Sequence, residues 1–157
     1  MCFLFVLYFE RFVSLFGYWG GVVFWYVSIA MDKIFLGSKL VAVRVRRFPN
    51  AHTTAVSSPG GALQLLLMKR AKGSIARAHR HIPKKRVTKL LQECLIVIKG
   101  KIRYELFDAK NRCFRRVLVR PGEAMLIINV AHAVSFLEDS LVYELKNGPF
   151  LDDKKFL

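Results

Sequence analysis

After Met31 the chain alternates between apolar and polar positions over most of its length. The stretch KLVAVRVRRF, residues 39–48, follows this period of two most clearly, and the pattern is typical of strands that bury one face. Similar short apolar segments predict further strands at ALQLLLMK, SIARAHRH, ECLIVIKG, KIRYELFD, CFRRVLVR, PGEAMLIIN, HAVSFLED and SLVYELKNGP. The sequence has no long segment with a helical period, so the pattern predicts an all-β barrel or sandwich of about eight strands.

Turn-forming residues separate these predicted strands. PNAHTTAVSSPGGA, residues 49–62, is rich in such residues and predicts a long connection. Gly100 separates two strands, and DAKN, residues 108–111, predicts a tight turn between the next two. Pro121 and Gly122 predict another turn. The regular recurrence of turns supports the all-β assignment.

Residues 1–31 form a hydrophobic segment that differs in composition from residues 32–157. Within it, residues 12–31 contain no charged residue, and a stretch of about 20 apolar residues is long enough to span a bilayer. A basic region does not follow Met1, which argues against a secretory signal peptide. Two interpretations stay open: residues 12–31 anchor the protein to a membrane, or Met31 is the true start and the segment is an upstream extension of the reading frame. We therefore predict a cytoplasmic domain over residues 32–157, with a membrane-anchored protein as the alternative.

The formal net charge of +15 lies in the second part of the chain, because Glu10 and Arg11 are the charged residues of the first 30 and cancel. Nine of the 26 lysines and arginines fall between Lys69 and Lys89, with no acidic residue among them. Such a charge favours partners that carry phosphate or carboxylate groups. Nucleic acid is the less favoured partner, because this run contains no Phe, Tyr or Trp on which bases stack. The three cysteines are odd in number and widely spaced, which argues against a disulfide framework.

Two histidines one residue apart give the first candidate site. Alternate residues of a strand share a face, so we expect His79 and His81 to point the same way as Arg77. Glu93 in the next strand and His132 in a later one lie at positions that reach the same interior. Three imidazoles and one carboxylate from separate strands bind a divalent first-row transition metal, and Fe, Mn, Ni, Cu and Zn all suit these donors. The simpler interpretations are a surface histidine pair, an exposed strand carboxylate and a histidine that caps a turn.

These residues resemble the two sequence motifs of the cupin superfamily. GSIARAHRH has a glycine, five residues and His-x-His, and ECLIVIKG has a glutamate, six residues and a glycine, which is similar to the first motif. PGEAMLIINVAHAVSF is similar to the second. The segments LQECLIVIKGKIRYELFD and FLEDSLVYELKNGPFLDDKKF look like those of small bacterial single-domain cupins, and the likeness covers about residues 32–157. The resemblance implies a double-stranded β-helix, or jelly-roll, barrel in which His79, His81, Glu93 and His132 hold Fe, Mn, Ni or Zn.

The chain departs from the cupin pattern in two places. Eleven residues, IPKKRVTKLLQ, lie between His81 and Glu93, where the motif has a much shorter spacer. In the second motif, IINVAH lacks the Pro-x-Gly turn before His132. The insertion predicts either an elongated hairpin at the mouth of the barrel or a displacement of Glu93 from the ligand position.

By this resemblance the protein binds a metal and binds or converts an anionic small molecule, a sugar or a carboxylic acid. An inward-facing Arg77 holds a carboxylate or phosphate through two hydrogen bonds. Tyr104 and Glu105 occupy opposite faces of one strand, so one of them faces the cavity, and Tyr104 is the second substrate-binding candidate. Three alternatives stay open: an enzyme such as an isomerase or dioxygenase, a cupin that binds its ligand without turnover, and a basic nucleic-acid-binding β-barrel. The resemblance also implies that barrel edges pair into a homodimer.

Overall fold

The structure, a computed structural model, describes residues 5–9, 12–19, 22–27, 30–148, 151 and 154–157. The chain divides into two compact units, Met1–Ala30 and Met31–Leu157. In the first unit, β1 (Phe5–Phe9), β2 (Phe12–Trp19) and β3 (Val22–Val27) form an antiparallel sheet in that order. Within the described part of the chain, no helix has the length and apolar character needed to cross a bilayer.

The second unit consists of strands and their connections over the residues that the structure describes. Its strands are β4 (Met31–Leu36), β5 (Lys39–Val45), β6 (Thr53–Ala55), β7 (Leu66–Met68), β8 (Glu93–Lys99), β9 (Ile102–Phe107), β10 (Cys113–Val119), β11 (Ala124–Ile127), β12 (Ala131–Phe136) and β13 (Leu141–Lys146). The predicted all-β class is confirmed. Seven of these strands, β5 and β8 to β13, fall on segments whose apolar pattern predicted them.

Three antiparallel sheets make up the second unit. The largest has five strands in the order β13-β8-β11-β5-β4, the next has three in the order β10-β9-β12, and β6 pairs with β7. Each sheet is open at both edges, and none of them closes into a barrel over the described residues. The edge strands are β10 and β12 in the three-stranded sheet and β4 and β13 in the five-stranded sheet. Polar side chains on these strands can reach solvent next to the core.

The five-stranded and three-stranded sheets pack face to face around a shared apolar core. Alternate residues of β8 and β9 point into it, among them Leu95, Val97, Ile102 and Leu106. The other face of the five-stranded sheet covers a second core, which contains Cys94, Val56 just after β6, and Leu67 of β7. Burial of such apolar surface is the main force that holds sheets together.

The turns between strands follow the predicted residue types. Gly100 joins β8 to β9 with a φ of +84°, and Gly122 precedes β11 with a φ of +79°. In the turn from β9 to β10, the Asn111 backbone N–H donates to the carbonyl oxygen of Asp108 at 3.0 Å. Asn111 has a φ of +59°, a conformation that Asn adopts more readily than most residues other than glycine.

Residues 69–92 differ from the prediction, because SIARAHRH forms no strand and every residue from 68 to 91 is exposed. The segment contains nine cationic side chains. Pairing it with a sheet would bring like charges together without burying enough apolar surface to offset the ordering of the backbone. Pro83 also lacks the N–H that a central strand needs. The hairpin predicted for IPKKRVTKLLQ is wrong for the same reasons, and the run joins β7 to β8 without strand pairing.

Three smaller differences concern short strands. β4 was not predicted, and it forms because Gly37, with a φ of +61°, closes a tight turn that lets β4 pair with β5. β6 lies within the predicted turn-rich connection, where it pairs with β7. ALQLLLMK contributes only the three residues of β7 to a strand, since the preceding residues pack as a connection under the second core.

Candidate functional site

Glu93 and His132 meet where β8 of the five-stranded sheet faces β12 of the three-stranded sheet. Glu93 shares the inner face of β8 with Leu95, and it is only 8% exposed. His132 lies opposite Leu106 in the register of β12 with β9, and Leu106 is fully buried. The Nε2 atom of His132 is 2.5 Å from Oε1 of Glu93. Two residues that the cupin resemblance assigns to different motifs are therefore in direct contact.

Lys146 is the third polar residue at this edge. The pairing of β13 with β8 places Lys146 opposite Glu93, and its Nζ lies 3.3 Å from Oε2 of Glu93. The same Nζ lies 3.0 Å from Oε1 of Glu144. Nδ1 of His132 is 3.1 Å from the Val130 carbonyl oxygen. Both carboxylate oxygens of Glu93 and both ring nitrogens of His132 thus have a partner.

Tyr104 extends this group into the core. Its ring centroid is 5.8 Å from that of His132, and the residue is fully buried. The Tyr104 hydroxyl has no hydrogen-bond partner in the part of the chain that the structure describes. We call Glu93, His132, Lys146 and Tyr104 the Glu93 site.

Electrostatic coupling favours a charged Glu93–His132 pair. The hydrogen bond with His132 lowers the pKa of the Glu93 carboxyl against the opposing effect of burial, and the charge of Lys146 also lowers it. Burial disfavours protonation of His132, but the hydrogen bond to Glu93 and the contact with the Val130 carbonyl outweigh it and raise the pKa of the imidazole. Burial, followed by the charge of Glu93, raises the pKa of Tyr104. The Tyr104 hydroxyl therefore stays protonated and acts as a donor at neutral pH.

We expect Glu93→Gln to lower the free energy of unfolding by about 2 kcal/mol, the usual size for a hydrogen bond to a charged group, and most strongly between pH 4.5 and 6.5. The lowered pKa of Glu93 makes its contribution present above the unfolded value of 4.5 and lost as pH falls through the folded value. The raised pKa of His132 makes its contribution present below the unfolded value of 6.5 and lost as pH rises through the folded value. Urea unfolding of both proteins across this range measures the difference.

The control for this measurement is Glu138→Gln, which alters an exposed pair with Lys101. Its effect should be small, as is usual for solvent-exposed ion pairs. If the stability difference between the wild-type protein and Glu93→Gln does not change with pH, the Glu93–His132 pair is not a coupled, charged pair.

His79 and His81, the other predicted ligands, lie outside the Glu93 site in the exposed segment between β7 and β8. Their ring centroids are 5.1 Å apart, and Nδ1 of His79 is 2.8 Å from the Arg77 carbonyl oxygen. Among the described residues, no group of three or more His, Cys, Asp and Glu side chains is arranged to hold a metal ion. The structure brings together Glu93 and His132 and does not bring the first histidine pair to them.

The two predicted substrate-binding residues have different positions. Arg77 is exposed and belongs to no strand, so its predicted inward orientation is wrong. Tyr104 points into the core, while Glu105 on the opposite face of β9 is bonded to Arg116 at 2.6 Å. Of the Tyr104 and Glu105 alternatives, Tyr104 is the one that faces the interior.

Sequence reasoning missed Lys146 and Glu144 as members of this region. Both occupy alternate positions of SLVYELK, so they share a face of β13 with Val142, which packs against the shared core. The alternation places Lys146 on the face of Val142, but only the pairing of β13 with β8 makes Glu93 its partner.

Comparison of this chain with protein-family models, curated proteins and solved structures finds no match. The functional assignment therefore depends on the residues and contacts of the chain itself.

Proposed function

We propose that residues 31–157 form a cupin-like, jelly-roll domain that binds an anionic small molecule, a sugar or a carboxylic acid, at the Glu93 site. Support for the fold comes from two antiparallel sheets packed on a shared core. Support for the site comes from the contact between Glu93 on β8 and His132 on β12, which the cupin resemblance implies.

The observation that carries the proposal is the buried Tyr104 hydroxyl, which has no hydrogen-bond partner among the residues that the structure describes. A buried polar group that makes no hydrogen bond costs about 1–3 kcal/mol. A ligand oxygen that accepts a hydrogen bond from this hydroxyl removes that cost. Because the pKa of Tyr104 is raised, the group remains a donor, so it selects ligands that present an acceptor such as a carboxylate or hydroxyl oxygen.

Lys146 supplies the ammonium group that donates a hydrogen bond to an anionic ligand. Its ammonium group contacts Glu93 and Glu144 through single oxygens, and an ammonium group has three donors. The Glu93 carboxylate orients His132 through the contact between Oε1 and Nε2. Lys146 offers an ammonium donor at the edge of the sheets, and the Tyr104 hydroxyl lies deeper, in the core.

A metal-dependent form of this function is the second candidate. Glu93 and His132 supply one oxygen and one nitrogen donor, whereas catalytic zinc sites use about three protein ligands. Lys146 also places a positive charge 3.3 Å from the carboxylate. The Glu93 and His132 side chains as arranged do not complete a metal site. The adjacent imidazoles of His79 and His81 favour the candidate only if the segment between β7 and β8 brings them to the pair.

Calorimetric titration of the full-length protein with a panel of sugar acids and short carboxylic acids tests the proposal. We expect saturable binding of at least one panel member. Tyr104→Phe should weaken that binding about tenfold, because one hydrogen bond in a buried site is worth about 1.4 kcal/mol. The same substitution should raise the stability of the unliganded protein by about 1 kcal/mol, since it removes an unpaired buried hydroxyl.

Tyr143→Phe is the matched control, because Tyr143 lies on β13 of the five-stranded sheet and is 66% exposed. Equal affinity in Tyr104→Phe and wild type, or no binding by any panel member, contradicts the proposal. Repeating the titration with Mn²⁺ or Zn²⁺ present separates the two candidates: binding that requires the metal and is lost in His79→Ala favours the metal-dependent form.

A further inference from the structure

A second polar region lies at the other edge of the sheet pair, where β4 and β5 face β10. A cleft of about 250 Å³ opens there. Eight residues line it, of which one, Asp32, is acidic and four are arginines. The arginines are Arg44, Arg115, Arg116 and Arg120. Ile34 and Val117, both buried, form the apolar base of the cleft. The cleft therefore combines a cationic rim with an apolar interior.

The positive charge of the cleft is only partly neutralised. Arg44 is paired with Glu123 and Asp32, and Nε of Arg116 is paired with Glu105. Arg115 and Arg120 have no acidic side-chain partner in the part of the chain that the structure describes. Two guanidinium groups at the rim are thus free to bind an anion.

Arg44 is held in a fixed position within the cleft. Its side chain is 11% exposed, and its Nε and Nη2 atoms donate to the Glu123 carboxylate at 2.8–3.2 Å. The same carboxylate accepts a hydrogen bond from the Arg120 backbone N–H at 2.8 Å. Glu123 therefore positions both the Arg44 side chain and the backbone of Arg120. Because these groups are already held in place, little conformational entropy is lost when an anion binds.

We propose that this cleft binds a small molecule that carries a phosphate or carboxylate group next to an apolar part. A rim arginine, Arg115 or Arg120, binds the anionic group, since planar guanidinium groups suit both kinds of oxyanion. The apolar part contacts Ile34 and Val117. This site is separate from the Glu93 site, because β4 and β13 are the opposite edges of the five-stranded sheet, roughly 19 Å apart at the usual strand spacing.

Titration of the full-length protein with phenyl phosphate, benzoate and inorganic phosphate, followed by calorimetry, tests this inference. We expect saturable binding of phenyl phosphate or benzoate that is tighter than binding of inorganic phosphate, because only the first two have an apolar part. The double variant Arg115→Gln/Arg120→Gln should weaken this binding at least about tenfold, as expected from the loss of charge-assisted hydrogen bonds. Both side chains are exposed, so the variant should fold, and circular dichroism checks this.

The matched control is Lys99→Gln/Lys110→Gln, which removes the same charge from exposed positions outside the cleft. Equal weakening by both double variants means that net charge alone attracts the anion and overturns the inference, as does the absence of saturable binding. Tyr104→Phe should leave phenyl phosphate binding unchanged. If Tyr104→Phe weakens phenyl phosphate binding, the ligand is at the Glu93 site and the inference of a separate cleft site is overturned. If the sugar-acid titration alone fails, only the function proposed for the Glu93 site is contradicted, and the cleft inference stands.

Discussion

Glu123→Ala is expected to lower the free energy of unfolding by about 3 kcal/mol, the usual cost of removing one partner from a buried ion pair. Glu123 and Arg44 have side chains that are 12% and 11% exposed, so the substitution leaves a mostly buried guanidinium with only the longer contact to Asp32 at 3.5 Å. It also removes the acceptor of the Arg120 backbone N–H. Urea unfolding followed by circular dichroism measures the change.

Two further variants separate the cost of an unpaired charge from other effects. Glu138→Ala breaks the pair with Lys101, whose side chains are 51% and 36% exposed, and should cost less than about 1 kcal/mol. In Arg44→Met/Glu123→Leu both charges are replaced by apolar groups, and most of the lost stability should return. Equal losses in Glu123→Ala and Glu138→Ala are incompatible with a structural role for the buried pair.

The second large effect is expected for Gly100→Ala, which should destabilise the second unit by roughly 2–4 kcal/mol. Gly100 has a φ of +84°, and an added Cβ would lie 2.6 Å from the Asp139 carbonyl oxygen and 2.8 Å from Cα of Ser140. These are backbone atoms of the connection between β12 and β13, so they cannot move aside as a flexible side chain can. Relief of the contact requires the β8–β9 turn or this connection to shift.

Gly37→Ala and Gly60→Ala separate the two causes of this destabilisation, the positive φ and the close approach of backbone atoms. Gly37 also has a positive φ, +61°, but no atom lies within 4 Å of an added Cβ, so its variant should lose only about 1 kcal/mol. Gly60 has neither constraint, and its variant should be close to wild type in stability. Equal unfolding midpoints for Gly100→Ala and Gly37→Ala show that the close approach to Asp139 is unimportant.

The strands that could be predicted from the sequence are those in which local residue pattern alone sets the strand type and its ends. β8, β9 and β10 are rich in branched and aromatic residues and end at glycine or Asx turns, so local chemistry fixes both their type and their limits. SIARAHRH carries the same alternation in a weaker form, because alanines occupy positions where a core strand needs larger groups. Without enough apolar surface to bury, the cationic neighbours keep this segment exposed.

The Glu93 site was predictable only in part. Strand periodicity places Glu93 with Leu95 and Val97 on an inner face, and the cupin resemblance adds His132. The predicted inward position of His79 and His81 required their segment to be a strand. Because the segment is not a strand, that prediction is wrong. Lys146 was missed because the strand order that places β13 beside β8 cannot be read from periodicity.

The arginine cleft could not be predicted from local sequence at all. Arg44 and Glu123 are separated by 79 residues, and in the linear sequence Arg44 is one of several arginines in an alternating strand. Its neighbours suggest a solvated face, which is the usual position of such charges. Only the pairing of β5 with β11, which brings β5 beside the turn before β11, makes Arg44 a buried and paired residue.

The position of Cys94 on the second core gives the protein an internal chemical reporter. Burial raises the pKa of its thiol to about 11, so almost none of the reactive thiolate is present at neutral pH. Cys94 lies on β8, and its side chain is buried in the second core, so an alkylating reagent reaches it only when the cover of that core opens. The rate of its modification therefore measures how often the second core opens, without any introduced label.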